Sequence, residues 1–214
     1  MDYDFFKLPL ANLEPTDQVV LYDLNTPLFS DYAFKKRFVY LPDSTKISYK
    51  NIGVMDFQNG SVLIKNFYYP KDFRKPEQEK RIIETRLLIK EDDAWKPLNY
   101  IWNEDQTEAT LNYFGKQEMV HWIDKEVTKR SVSYAISNLN QYKNCHAKGK
   151  NVTPIGPKAT QWNKTYSLAL SDKNQLNYFY EKGILDYTSV TPKPILVNEV
   201  FLNSQLPQGR GLGI

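Results

Sequence analysis

Two adjacent residues carry most of the chemistry this chain could do: Cys145, its single cysteine, and His146, one of two histidines. Together they are the second half of a haem c attachment signature, Cys-x-x-Cys-His. In that signature the thiols form thioethers with the porphyrin vinyls and the histidine ligates iron. Tyr142 stands where the first cysteine would be. Downstream, Pro154-Ile155-Gly156-Pro157 is a loop that either lets backbone approach a porphyrin edge closely or serves as a rigid turn. By spacing alone, an inert buried cysteine beside a surface histidine is the plainer reading. If haem is held by Cys145 and His146, the candidates for a sixth ligand are His121, Met119 and Met55. Met119 and His121 fall on one face of a strand, with Val120 and Trp122 on the other.

Two charged constellations stand apart from this motif. Glu84 and Arg86 share a strand face with Ile82 and Leu88. Charges among apolar neighbours mark a pocket or a structural ion pair, because burying a charge demands a partner. Asp31 with Lys35-Lys36-Arg37 is either an anion or partner contact or a solvated face. Hydrolytic chemistry has no footing: there is no Gly-x-Ser-x-Gly elbow, no His-Glu-x-x-His and no phosphate-cradling glycine loop. As neighbours in extended chain, Cys145 and His146 would face opposite ways and could not act as nucleophile and base. Enzyme is the weakest class.

The elements that must position these residues are mainly β. Aromatic content is 14% and rich in tyrosine, which favours strands. After an irregular lead-in that holds the strand-like Val19–Tyr22, alternation begins at Arg37 and resumes at Ile47 and Tyr49. Val54 to Phe57 and Ser61 to Tyr69 flank Asn59-Gly60, a dipeptide suited to a tight hairpin turn. Ile82 to Lys90, Trp95 to Trp102, Ala109 to Phe114, Met119 to Ile123 and Val127 to Ile136 follow as strands, spaced as in a sandwich or barrel-like antiparallel sheet. Ser137 to Lys164 is polar and unpatterned, a long loop unless a ligand or the β domain organises it. One helix follows, capped by Ser171 or Asp172 and ended by Gly183 with Ile184. The expected organisation is a mainly β domain at 1–136 with a lead-in at 1–17, a degenerate haem-c-type segment at 137–190, and a Pro/Gly-containing tail at 191–214.

A net charge of +3, from 28 basic against 25 acidic residues, lacks the footprint of a nucleic-acid binder. No apolar run approaches the roughly 20 residues of a membrane span. The amino terminus lacks a secretory signal.

Asn25-Thr-Pro-Leu-Phe-Ser-Asp-Tyr32, Lys35-Lys-Arg-Phe38, Lys65-Asn-Phe-Tyr-Tyr-Pro70 and Glu84-Thr-Arg-Leu-Leu88 resemble a bacterial family described as two-haem c-type cytochromes. The resemblance continues through Tyr100-Ile-Trp-Asn103, Ala109, Asn140-Gln141, Cys145-His146, Pro154-Ile-Gly-Pro-Lys158 and Asn174-Gln-Leu176, in family order. The family pattern reads Asn-Gln-Cys-Lys-x-Cys-His, so Tyr142 is a departure. A second Cys-x-x-Cys-His has no counterpart in this chain. The resemblance implies an extracytoplasmic, periplasmic protein holding haem c through one thioether at Cys145, with His146 as proximal ligand. Tyr142, Pro154, Ile155 and Gly156 would then pack against the ring, and electrons would pass to a redox partner protein. The alternative, of a different class, is a haem-free β-rich binding or structural module that has lost the haem site.

Overall fold

The longest alternating runs in the chain become the middle of a sheet. In the computed structural model, residues 3–149, 151–166 and 173–187 are described. The expected tail at 191–214 and the expected caps Ser171 and Asp172 lie outside them. In chain order the strands are β1 (Val19–Tyr22), β2 (Phe34–Tyr40), β3 (Ile47–Ser48), β4 (Val62–Pro70), β5 (Lys80–Glu91), β6 (Ala94–Trp102), β7 (Ala109–Leu111), β8 (Lys116–Ile123) and β9 (Lys129–Ile136). Helix α1 (Leu139–Cys145), β10 (Ala147–Lys148), β11 (Asn151–Val152), α2 (Ala159–Trp162), α3 (Gln175–Glu181) and β12 (Leu185–Asp186) follow. The protein is mainly β, as its composition and alternation predict. Among the described residues no helix is long and apolar enough to cross a membrane.

Six strands form one antiparallel sheet in the order β1-β2-β4-β5-β6-β7, while β8 and β9 make a separate hairpin. The sheet is covered on both sides, which is why β4 reads as a nearly unbroken apolar run. One face packs on the lead-in: Phe38, Ile64, Ile82 and Leu87 bury Phe5 and Leu13. The other face carries two separate apolar clusters. At one end Phe67, Tyr69 and Ile83 meet Trp122, Tyr134 and Ile136 of the β8–β9 hairpin. At the other, Val39, Leu63 and Leu88 meet Trp162, Leu176 and Phe179 of the C-terminal segment.

Three expectations are corrected. The Val54–Phe57 segment does not form a hairpin with β4, whose edges are both taken, by β2 and β5. Met55 and Phe57 are spent instead in the cluster around Trp162, and Gly60 (φ +89°) turns the chain tightly against Pro42. The tight hairpin with two left-handed residues lies between β5 and β6, where Asp92 and Asp93 have φ of +48° and +59°. Second, strict alternation along β5 breaks: Phe67 pairs with Glu84 and Tyr68 with Ile82, so Ile83 is the extra residue of a bulge. Ile82 and Leu87 therefore share one face, opposite to the expected assignment.

Third, the segment after Ile136 is organised, with three short helices among the described residues rather than one. Asn138 caps α1 in a reciprocal box with Gln141, a local satisfaction of end groups that an apolar-period search passes over. The helix end at Gly183 follows expectation: Ile184 N–H reaches Phe179 O at 2.8 Å and Gly183 N–H reaches Tyr180 O at 3.0 Å, a Schellman arrangement. Its N-cap is Asn174. Ile47 does resume extended structure, but β3 pairs in parallel with β12 rather than joining the sheet.

Candidate functional site

Between the two clusters on the second face runs a row of charge. Arg37 on β2 stands directly opposite Lys65 on β4, and Lys65 directly opposite Arg86 on β5. Tyr22 flanks the row on β1 and Asn99 on β6. Like charges directly opposite one another are destabilising in a sheet. Three in succession, on strands buried from both sides, have to be held by something else.

Part of that support is within the chain. The ring of Phe67 lies 4.6 Å from the Lys65 ammonium and 4.6 Å from the Arg86 guanidinium, so its π-face meets both cations. Arg86 also lies over Tyr142, 5.4 Å from its centroid. Glu84 is fully buried; its Oε1 accepts from Arg86 Nη2 and from Tyr134 Oη, both at 2.6 Å. Arg37 is 3.6 Å from Asp23, which Lys164 also contacts at 2.5 Å. The Lys65 ammonium has no carboxylate or carbonyl partner among the described residues, and Arg86 Nε has no hydrogen-bond partner.

The row opens into a cavity of about 420 Å³, within the range of small-molecule sites. Arg37, Lys65 and Arg86 form its floor with Leu63 and Leu88, and Tyr22 and Tyr142 wall it. The roof is the Pro154–Lys158 loop. Met55 N–H donates to Pro157 O at 2.8 Å, and Asn25 N–H to Gln161 O at 3.0 Å just beyond it. Gly156 lies against Leu24, where an added Cβ would come within 3.1 Å of the leucine methyl. Lys158 adds a fourth cation to the lining.

His146 follows α1 and also lines the cavity. Its Nδ1 is 3.1 Å from Thr153 O, so Nδ1–H donates there and Nε2 carries the lone pair. The imidazole meets the Tyr142 ring edge-to-face at 4.8 Å. Burial, and then the charges of Lys65 and Arg86, hold the proton affinity of His146 below the usual range, although the Thr153 bond opposes this. Burial together with Arg37, Arg86 and Lys35 brings the Lys65 amine down to about 7. Burial likewise lowers Lys35 to about 8. Burial raises the Tyr142 phenol well above its normal range.

The structure thus brings together Tyr142, His146, Pro154, Ile155 and Gly156, all expected around one site. The Cys145 side chain lies outside the described part of the chain. His121 and Met119 do not join the cavity: both are exposed on β8, whose inward residues are Val120 and Trp122. Met55 is buried and accepts from Lys50 N–H through its sulfur at 3.4 Å. Glu84 and Arg86 form a largely buried ion pair of which Arg86 lines the cavity, and Arg37 and Lys65 line it too. A lone lysine within the apolar run Val62–Tyr69 is the signal that marks Lys65, since a strand buried on both faces has no free place for a charge.

An axial haem ligand fits this lining: His146 presents Nε2 with its other nitrogen tied to a carbonyl, the usual outer support of an iron-bound imidazole. The remainder fits less well. Tyr142 occupies one attachment position, no second imidazole or thioether is among the described lining residues, and Lys65 and Arg86 put positive charge near the imidazole. The chain matches no protein-family model, no curated protein and no solved structure.

Proposed function

We propose that this protein is a haem-free binding module whose cavity takes a small organic anion, such as a carboxylate or phosphate ester with an apolar body. One observation carries the reading: Arg37, Lys65 and Arg86 are consecutive partners across three strands and all face one cavity. Ordering three cations this way costs stability unless an anion offsets it. Guanidinium groups suit the planar, two-point recognition of carboxylate and phosphate oxygens. Leu24, Leu63 and Leu88 supply the apolar wall that an inorganic ion alone would not need. Thermal unfolding in phosphate, pyruvate and benzoate, against chloride at equal ionic strength, tests this. A bound anion raises the midpoint; equal midpoints in all four salts defeat the reading.

A second reading is favoured by the His146–Thr153 contact. In it, Cys145 and His146 hold a haem c, with Tyr142, Pro154, Ile155 and Gly156 along the ring and the cations beside its carboxylates. The haem would supply one-electron transfer to a redox partner protein, with potential set by axial ligation and burial. Such a protein would be matured outside the cytoplasm. Export through a c-type maturation system decides: visible absorbance that survives acid-acetone extraction supports covalent haem, and a colourless protein removes it.

A further inference from the structure

We propose, resting on the anion-binding reading above, that the site captures a carbonyl compound covalently: Lys65 forms an imine with a small oxo acid whose anionic group is held by Arg37 and Arg86. The geometry is a nucleophile between two anchors. Lys65 is the middle of the row, with one guanidinium on each neighbouring strand, so an anionic group held by either guanidinium brings an adjacent carbonyl carbon to the amine. The Lys65 ammonium has no carboxylate or carbonyl partner among the described residues, whereas Lys164, Lys173, Lys71, Lys80 and Lys96 each pair with a carboxylate. It is also a half-buried cavity lysine whose ammonium lies over the Phe67 ring.

The groups around Lys65 agree with this use. From β2 it is faced by Arg37 and Lys35, from β5 by Arg86 and Glu84, and from beyond α1 by His146; Lys158 completes the lining. Burial, and then cations that outnumber the single carboxylate, bring the amine down to about 7, so an appreciable share of it is uncharged near neutral pH. A lysine in the usual range is uncharged only about once in a thousand or more at that pH. The step is closed in atoms and electrons. The Lys65 lone pair attacks the carbonyl carbon, both hydrogens of the neutral amine leave with the carbonyl oxygen as water, and a C=N bond replaces C=O. No oxidant or reductant enters. Water reverses it, so the capture is reversible. His146, whose Nδ1–H bond to Thr153 O leaves Nε2 free, is the group in the cavity placed to shuttle a proton to the departing oxygen.

Reductive trapping tests the proposal on the full chain. The protein is incubated with pyruvate and cyanoborohydride at pH 7, digested, and every lysine scored by mass spectrometry for a carboxyethyl group. Lys65 is expected to label at least about tenfold faster than the exposed lysines, which are internal controls in the same sample. Lactate, which has the carboxylate without the carbonyl, is expected to protect Lys65 while leaving surface labelling unchanged. Lys65→Arg deletes the amine and is expected to lose the cavity label while the surface lysines label as in the wild type. Labelling confined to surface lysines overturns the imine. If lactate still raises the thermal midpoint in that case, anion binding stands and only the covalent step falls; if it does not, the underlying reading falls with it.

Discussion

Lys65 and Arg86 stand directly opposite each other on neighbouring strands, and each rests 4.6 Å from the centroid of the same ring, Phe67. The aromatic face partly offsets a repulsion that the strand pairing imposes. It contributes about 1–2 kcal/mol at a desolvated cation and does not neutralise two. The site is therefore built at the expense of stability, and its behaviour without ligand follows from that.

Removing the middle charge relieves the row. Lys65→Met keeps the stem that lies on Phe67 and deletes the ammonium, so it is expected to stabilise the ligand-free protein by on the order of 1–3 kcal/mol. Urea unfolding measures this. The same variant is expected to lose most of the stabilisation that phosphate confers on the wild type. A less stable Lys65→Met protein would mean the charge is already compensated.

The pH dependence has a defined sign. Burial and then flanking cations hold Lys65 down to about 7, and Lys35 is held down to about 8. In the unfolded chain both return to about 10.4, so the native state binds fewer protons across the interval between. Stability of the ligand-free protein should therefore climb from about pH 7 towards about pH 10 and be at its lower plateau, as regards Lys65, below pH 7. Buried tyrosines oppose the climb above about pH 10; Tyr22, pushed up to about 12 chiefly by burial, is one. Anion affinity should run the other way, falling as Lys65 deprotonates. Urea midpoints and anion titrations across this range read both slopes.

Glu84 divides stability from affinity. It is fully buried and its Oε1 is shared by Arg86 and Tyr134. Glu84→Gln removes the carboxylate paired with Arg86 and leaves that guanidinium without an ionic partner, costing about 3 kcal/mol of folding stability. The freed guanidinium should bind phosphate more tightly than in the wild type. Calorimetric titration beside urea unfolding would show the opposed changes.

Helix α1 holds Tyr142 and delivers His146 to the cavity, and Asn138 begins it. Asn138→Ala removes one half of the reciprocal cap: Gln141 N–H loses its Oδ1 acceptor, while the backbone N–H of residue 138 can still donate to Gln141 Oε1. A loss of about 1 kcal/mol is expected. Since no cavity atom is deleted, weaker anion binding in this variant would report the loosened wall alone.

The strands were legible where one residue in two is apolar: Val19–Tyr22 emerges with the expected bounds, and the cores of β4, β5, β6, β8 and β9 lie inside their expected runs. The Asn59-Gly60 dipeptide misled because a turn signal says nothing about which strand claims the edge of β4. The bulge at Ile83 was invisible for a related reason, since it is a property of a pair of strands. Around the half-motif, Tyr142, His146, Pro154, Ile155 and Gly156 line one cavity. The basic floor did not show itself: Arg37, Lys65 and Arg86 are far apart in the chain, and only register makes them neighbours.

The most direct measurement of anion capture is calorimetric titration of phosphate and of pyruvate into the wild type and into Arg37→Met/Arg86→Met, at low ionic strength. Saturable binding at one site per chain in the wild type, lost in the double variant while its folded spectrum is kept, is the predicted result. No saturable heat in the wild type, or equal heat in both proteins, would contradict it.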